Sequence, residues 1–226
     1  MPVNEFGQPV GESVPGWTER ERPAPDILEG HHVRLEPLKA DHAEPLFESL
    51  CADASLWTYR GDDPPTDVAE MSRYVATLAA ATDRTTYAVV PRASGTAAGM
   101  SSLLRDDPLN GVIEIGAVIY GPQLQRTAAS TEASYLLARH VFDDLGYRRL
   151  EWKLDSLNEP SAQAARRLGF TEEGTFGNHM VYKGRSRDTT WFAITDQEWP
   201  RVKQRLEDWL DPANFDDSGR QRRPLR

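Results

Sequence analysis

One carboxylate stands out in this chain because of the residues around it. Glu114 lies in Val112-Ile113-Glu114-Ile115-Gly116, an otherwise apolar run. Burial disfavours the charged form of a carboxyl and raises its pKa toward neutrality, where it serves well as a general base. A carboxylate on a solvent-facing strand side, or one paired with a structural cation, is the competing reading. Further on, Gln125-Arg126-Thr127-Ala128-Ala129-Ser130-Thr131 leads from a strand into a long helical pattern. Unpaired N–H groups at a helix start attract anions, so this junction could hold a phosphate. Arg126 adds a cation, and Thr127, Ser130 and Thr131 add hydroxyls; an ordinary capped helix with a surface arginine is the alternative. Asn158 and Ser161 open a short helix and could touch a ligand, or simply cap it. Trp57 and Tyr59 in a loop, with His179 on a late strand, are candidate walls for an acceptor, against core packing or a structural histidine.

These groups need a scaffold, and hydrophobic spacing supplies one. Val33 and Leu35 alternate with Arg34 and Glu36 as in a strand. Asp41 and Glu44 resemble a capping pair before a helix carrying Leu46, Phe47 and Leu50. Thr66 is placed to cap a second helix with Val68, Met71, Val75 and Leu78 at helical spacing. Strand-like runs at 86–90, 97–104 and 112–119 follow, with separations short enough for an antiparallel meander. A helix over about 130–145 ends at Gly146, and Leu150, Trp152 and Leu154 mark another strand. The Asn158 helix stops at Gly169, strands are expected at about 175–182 and 189–194, and Trp199, Val202, Leu206 and Trp209 form a last amphipathic helix. Trp152 and Trp191 are read as core packing. The result is an α+β (mixed α/β) fold with a largely antiparallel sheet. Residues 1–27 read as an extended arm, 28–211 as one domain and 212–226 as a flexible tail.

Composition narrows the function. The formal charge of −9 argues against a general nucleic-acid surface. No run approaches the length of a membrane span, and the N-terminus lacks a basic segment followed by an apolar one, so a cytoplasmic protein is expected. The single cysteine, Cys51, excludes an internal disulfide, and the five histidines show no metal-ligand spacing.

The order of elements, together with Glu114-Ile115-Gly116, Thr131-Glu132-Ala133 and Asn158…Ser161…Leu168-Gly169-Phe170, resembles the GNAT superfamily of acyl-CoA N-acetyltransferases over residues 32–195. The closer likeness is to the ribosomal-protein N-terminal acetyltransferase branch. The resemblance implies a central twisted sheet flanked by helices and acetyl-CoA as co-substrate. It implies a primary amine as acceptor and makes a homodimer possible. It places pantetheine along Val118, Ile119 and Tyr120, and the pyrophosphate at Gln125, Arg126, Thr127, Ala128, Ala129, Ser130 and Thr131. Asn158 and Ser161 would touch the cofactor, Glu114 would be the base, and Ser161 would be the candidate acid for the leaving thiolate. Ala128 and Ser130 stand where the family pattern has glycines, and Ala165 where many members carry an acidic tyrosine. These departures keep a non-catalytic acyl-CoA-binding module as the alternative.

Overall fold

The computed structural model describes residues 1–216 and 219–225. Eight strands make one sheet: β1 (Leu28–Glu29), β2 (Val33–Pro37), β3 (Arg84–Pro91), β4 (Gly99–Asp107), β5 (Val112–Tyr120), β6 (Arg149–Asp155), β7 (Thr171–Tyr182) and β8 (Arg185–Thr195). Their order is β1-β2-β3-β4-β5-β6-β8-β7. Every pairing is antiparallel except β5 with β6. A parallel pair needs a crossover, and α3 (Ala128–Arg139), extended by a π turn over His140–Asp144, provides it.

Two apolar layers hold the sheet. On one face α3, α4 (Glu159–Leu168) and α5 (Trp199–Leu210) bury Ile113, Ile115, Leu150, Trp152, Phe192 and Ile194. On the other, α1 (Ala43–Leu50) and α2 (Val68–Ala79) bury Ala88, Val90, Met100 and Ile119. Strand side chains alternate between faces. Glu114, Lys153, Thr189 and Trp191 therefore sit on the face opposite the α3 layer.

Local chemistry sets several element ends differently from the spacing-based expectation. Asp67, not Thr66, caps α2: its carboxylate accepts from Glu70 N at 2.7 Å, while the Glu70 carboxylate accepts from Thr66 N at 2.8 Å. This is a reciprocal box shifted by one residue. Asp41 caps nothing; it lies in a 3-10 turn before α1. Gly146 takes φ +68° after the π turn and Gly169 takes φ +103° at the end of α4, as left-handed terminators do.

The ends of the chain both contact the body. In the arm, Trp17 Nε1 donates to Leu109 O at 2.8 Å, and Thr85 and Tyr87 hydroxyls donate to Pro23 O and Ala24 O. The expectation of a flexible tail over 212–226 is corrected for the described residues. Asn214 is buried and bonds the backbone of Trp209 and Arg223, Trp209 Nε1 donates to Gln221 Oε1, and Leu225 joins the core. The amphipathic spacing of α5 ends at Leu210, so the signal is carried instead by single side chains, chiefly Asn214 and Phe215.

Candidate active site

The site is a place where the sheet opens. β5 and β6 pair only through Val112↔Arg149, Ile113↔Leu150 and Glu114↔Glu151. Past Glu114 the two strands part, because β5 carries a bulge. The β4–β5 register shifts between Met100 and Ser102, and Ala117 takes φ +52°. That conformation costs a non-glycine residue roughly 1 kcal/mol or more. Arg60 holds it in place: Nη1 donates to Ala117 O at 3.0 Å, and Nη2 donates to Tyr74 OH at 2.7 Å. Backbone groups of Val118, Ile119 and Tyr120 thus border an unpaired edge, where an extended ligand can replace the missing strand.

Glu114 stands at the apex of this opening and is 2% exposed. Gly116 makes room for it, since a Cβ there would stand 2.5 Å from Glu114 Oε1. Burial lifts the carboxyl to about 7, against the opposing pull of Lys153 and Arg105. Arg105 Nε lies 3.3 Å and Lys153 Nζ 3.7 Å from Oε2, yet that oxygen has no hydrogen bond. Burial likewise lowers the Lys153 ammonium below its ordinary value. Both partners of this pair are pushed toward their neutral forms, which suits a group that exchanges protons near neutral pH.

The far side of the opening is the start of α3. Thr127 caps it, accepting from Ser130 N at 3.2 Å and donating to Leu124 O at 2.7 Å. Ala128, Ala129 and Ser130 are the first three helical residues, so the N–H groups of Ala128 and Ala129 have no intrahelical acceptor. The left-handed residue of this loop is Arg126, at φ +60°, while the positions with missing glycines are plainly helical. Gln125 turns back to donate to Tyr120 O at 2.8 Å, bracing the strand end instead of facing outward. Thr131 is buried and accepts from Arg167 Nη1 at 2.8 Å.

From α4, Asn158 Oδ1 accepts from Ser161 N at 3.2 Å, so Asn158 is a helix cap. Ser161 Oγ lies 3.0 Å from Trp152 Nε1. An indole nitrogen only donates, so the serine oxygen accepts and its own O–H remains available to another acceptor. Ala165 is fully buried, and no acid takes the place of the absent tyrosine at that position.

The acceptor-wall expectations are sorted by burial. Trp57 is 1% exposed, donates to Leu50 O at 2.9 Å and packs edge-on against Tyr74. It is core, because its loop folds inward over α1 and α2. Tyr59 reaches across to donate to Leu157 O at 3.0 Å. His179 is exposed on β7, within 3.0 Å of Thr189 Oγ1 and edge-on to Phe176. Trp191 is not core packing: it lies on the Glu114 face, with Arg105 Cζ and Lys153 Nζ each 5.5 Å from its ring centroid. Its alternation with Phe192, which is buried on the opposite face, was the available signal. Arg105, Lys153 and Arg187 gave no comparable signal, because charged residues on strands are ordinary, and Arg60 gave none because it lies in a polar loop.

The acetyltransferase (GNAT) domain profile matches residues 32–171. The chain belongs to the GNAT acetyltransferase family. Within that family it is 45% identical to a GCN5-related N-acetyltransferase from Brucella melitensis, with TM-score 0.91 over 94% of this chain and 97% of that one. It is 38% identical to a probable GNAT-family acetyltransferase from Chromobacterium violaceum, with TM-score 0.80 over 85% and 98%. Uncharacterized N-acetyltransferase p20 of Bacillus licheniformis is 24% identical over 77% of this chain and 98% of its own length. The microcin C7 self-immunity acetyltransferase MccE, solved with acetyl-CoA and AMP, is 19% identical and shares the fold at TM-score 0.66. GNAT proteins use acetyl-CoA, and an open sheet edge beside a helix start with free N–H groups fits a long anionic thioester.

Among the described residues no helix is long and apolar enough to cross a membrane, and no cluster of histidine, cysteine and carboxylate side chains could hold a metal ion.

Proposed function

We propose that this GNAT protein transfers the acetyl group of acetyl-CoA directly to a primary amine, with Glu114 collecting the amine's proton. The observation that carries the reading is a buried carboxyl with a pKa of about 7 at the apex of the β5–β6 opening. An amine attacks only as the free base, so a nearby proton acceptor poised at neutrality raises the reactive fraction. The backbone of Val118 to Tyr120 and Asn158 would bind the pantetheine arm, and the N–H groups of Ala128 and Ala129 the pyrophosphate. Arg126 supplies screening charge there. Acetyl-CoA supplies the activated acyl group. Ser161, whose hydroxyl proton is free to be donated, faces the departing sulfur in this reading. Cys51 packs beside α1, with burial raising its thiol pKa, so a covalent enzyme intermediate is not part of the scheme.

The acceptor class includes small amines and protein N-termini, the latter brought in by the likeness of short motifs to the ribosomal-protein branch. One of those motifs has a purely structural explanation: Glu132 accepts from His31, His32 and Val33 N at 2.6 to 2.9 Å and ties the β1–β2 turn to α3. Ala165 in place of tyrosine favours the second reading, a non-catalytic acyl-CoA-binding module.

Isothermal titration with acetyl-CoA tests binding, and thiol release with an amine library tests turnover. Binding without turnover of any amine supports the second reading. Turnover that survives intact in Glu114→Gln would remove the proton role assigned to that residue.

A further inference from the structure

The face around Glu114 holds more positive charge than one carboxylate can pair. Residues 187, 189 and 191 share one face of β8, the face that carries Lys153 and Asp155 through the pairings Lys153↔Trp191 and Asp155↔Thr189. Arg105, Lys153 and Arg187 all act electrostatically on Glu114. Arg105 is turned over the sheet by its own left-handed backbone, φ +53°, beside the β4 bulge. The acids nearby are already engaged. Glu151 pairs with Arg149 at 2.8 Å, and Asp155 accepts from Tyr182 OH at 2.6 Å and from Leu157 N at 2.9 Å. Asp188 accepts from Asn178 N at 2.7 Å. Of these three cations Arg187 is the one with no ion pair or hydrogen bond through its guanidinium to a described residue, although its Nε is buried. It lies over the Tyr182 ring at 5.8 Å. A buried guanidinium donor left unpartnered costs stability, and a carboxylate bound beside it would satisfy it with a charge-assisted hydrogen bond.

The walls set the rest of the ligand. Trp191, Phe176 and His179 form a contiguous aromatic surface, with ring centroids 5.5 to 6.2 Å apart, and Phe176 is 55% exposed. One end of the space is strapped shut. Lys183 Nζ donates to Trp57 O at 3.0 Å and pairs with Asp63 at 3.0 Å, and Tyr59 crosses to Leu157. These contacts join the loop between α1 and α2 to the β7–β8 hairpin and the β6–α4 turn, and so bridge the two sides of this face at one end.

We propose that the acceptor is a small amine that also bears a carboxylate and an apolar or aromatic body, with Arg187 as the carboxylate-binding residue. The inference rests on the acetyl-transfer reading above and narrows its substrate. The local charge runs against the molecule's overall −9, so it is a built feature of this face. In the bound arrangement the amine points to Glu114, the carboxylate pairs with Arg187, and the apolar body lies on Trp191 and Phe176. Arg105 and Lys153 stay with Glu114.

The test uses the full chain and pairs of amines that differ only in carboxylate against carboxamide, such as phenylalanine and phenylalaninamide, with acetyl-CoA binding followed separately by calorimetry. Turnover concentrated on the carboxylate members, with kcat/KM higher by about tenfold or more, is expected. Arg187→Gln is expected to raise the KM of the carboxylate acceptor by about tenfold, with acetyl-CoA affinity unchanged. Equal or better turnover of the carboxamides, or an unaltered KM in Arg187→Gln, overturns the substrate class while the acetyl-transfer reading stands. Absence of acetyl-CoA binding overturns both. Efficient acetylation of peptide N-termini with no carboxylate preference overturns the small-molecule assignment.

Discussion

At the scale of single residues, Glu114 links stability and activity through one proton. The folded carboxyl holds its proton up to about pH 7, whereas its ordinary value is 4.5. Folding therefore takes up a proton between those values, so stability falls as pH rises from about 4.5 through 7 and the cost is complete above it. Its size is on the order of 3 kcal/mol at alkaline pH. Activity runs the other way, because the ionised form is the base. In the proposed scheme kcat/KM rises with pH along a limb centred near 7. Glu114→Gln should remove that limb and lower kcat/KM by roughly 10²- to 10⁴-fold. Thermal melts of the same variant should show a flatter pH dependence between about 5 and 7, with Lys153, Arg105, Arg187 and Glu151 as the other charged groups acting on this site. A limb that persists in the variant would assign the titration to a different group. The neighbourhood of Glu114 in sequence foretold burial; its pairing with Arg105 and Lys153 was hidden, because the three residues come from separate strands.

Elements position these groups, and two of them can be loosened without touching the base. Thr127→Ala removes the cap of α3, worth about 1 kcal/mol. In a chain of this size that lowers the melting temperature by about 2–4 °C. The same fraying should weaken acetyl-CoA binding several-fold if the helix start holds the pyrophosphate, which calorimetry would read. Arg60→Met releases the carbonyl of Ala117 and leaves a left-handed alanine to hold itself. Its expected signature is a lower kcat with the pH limb of Glu114 retained, since the opening changes shape and the base does not. The elements themselves were legible because amphipathic spacing and glycine terminators act locally, and the two alanine-and-serine substitutions in the loop proved compatible with a plain helix start. The bulge at Ala117 was not legible: nothing in Gly116-Ala117-Val118 marks it, and the arginine that fixes it lies in another loop. Trp57 and Trp191 were assigned to each other's environments for a related reason. A tryptophan in a loop and one on a strand differ in burial only through the face they present, which the Phe192 alternation alone could have shown.

For the whole molecule, the two ends of the chain act as clasps on one core. Trp17 of the arm lies between Arg20 and Arg148 and bonds Leu109 O, and Arg20 N donates to Pro108 O, fastening this part of the arm over the β4–β5 turn. At the other end the Asn214 side chain makes three hydrogen bonds, to Trp209 O and to both backbone groups of Arg223. Trp209 in turn carries Arg167 against its ring at 4.7 Å, and Arg167 reaches Thr131 in the first turns of α3. The C-terminal segment thus braces, through two side chains, the helix whose start is assigned to the cofactor. Asn214→Ala leaves buried backbone groups without partners, which costs about 2 kcal/mol. Melting should fall by about 4–8 °C. Because Thr131 keeps its own hydrogen bond to Thr127 O at 3.4 Å, acetyl-CoA affinity at 25 °C should change by less than about threefold. A stability loss without an affinity loss would separate the clasp from the site. A large affinity loss would show that Trp209 and Arg167 transmit the strain to α3, and Arg167→Met should then reproduce it with Asn214 intact.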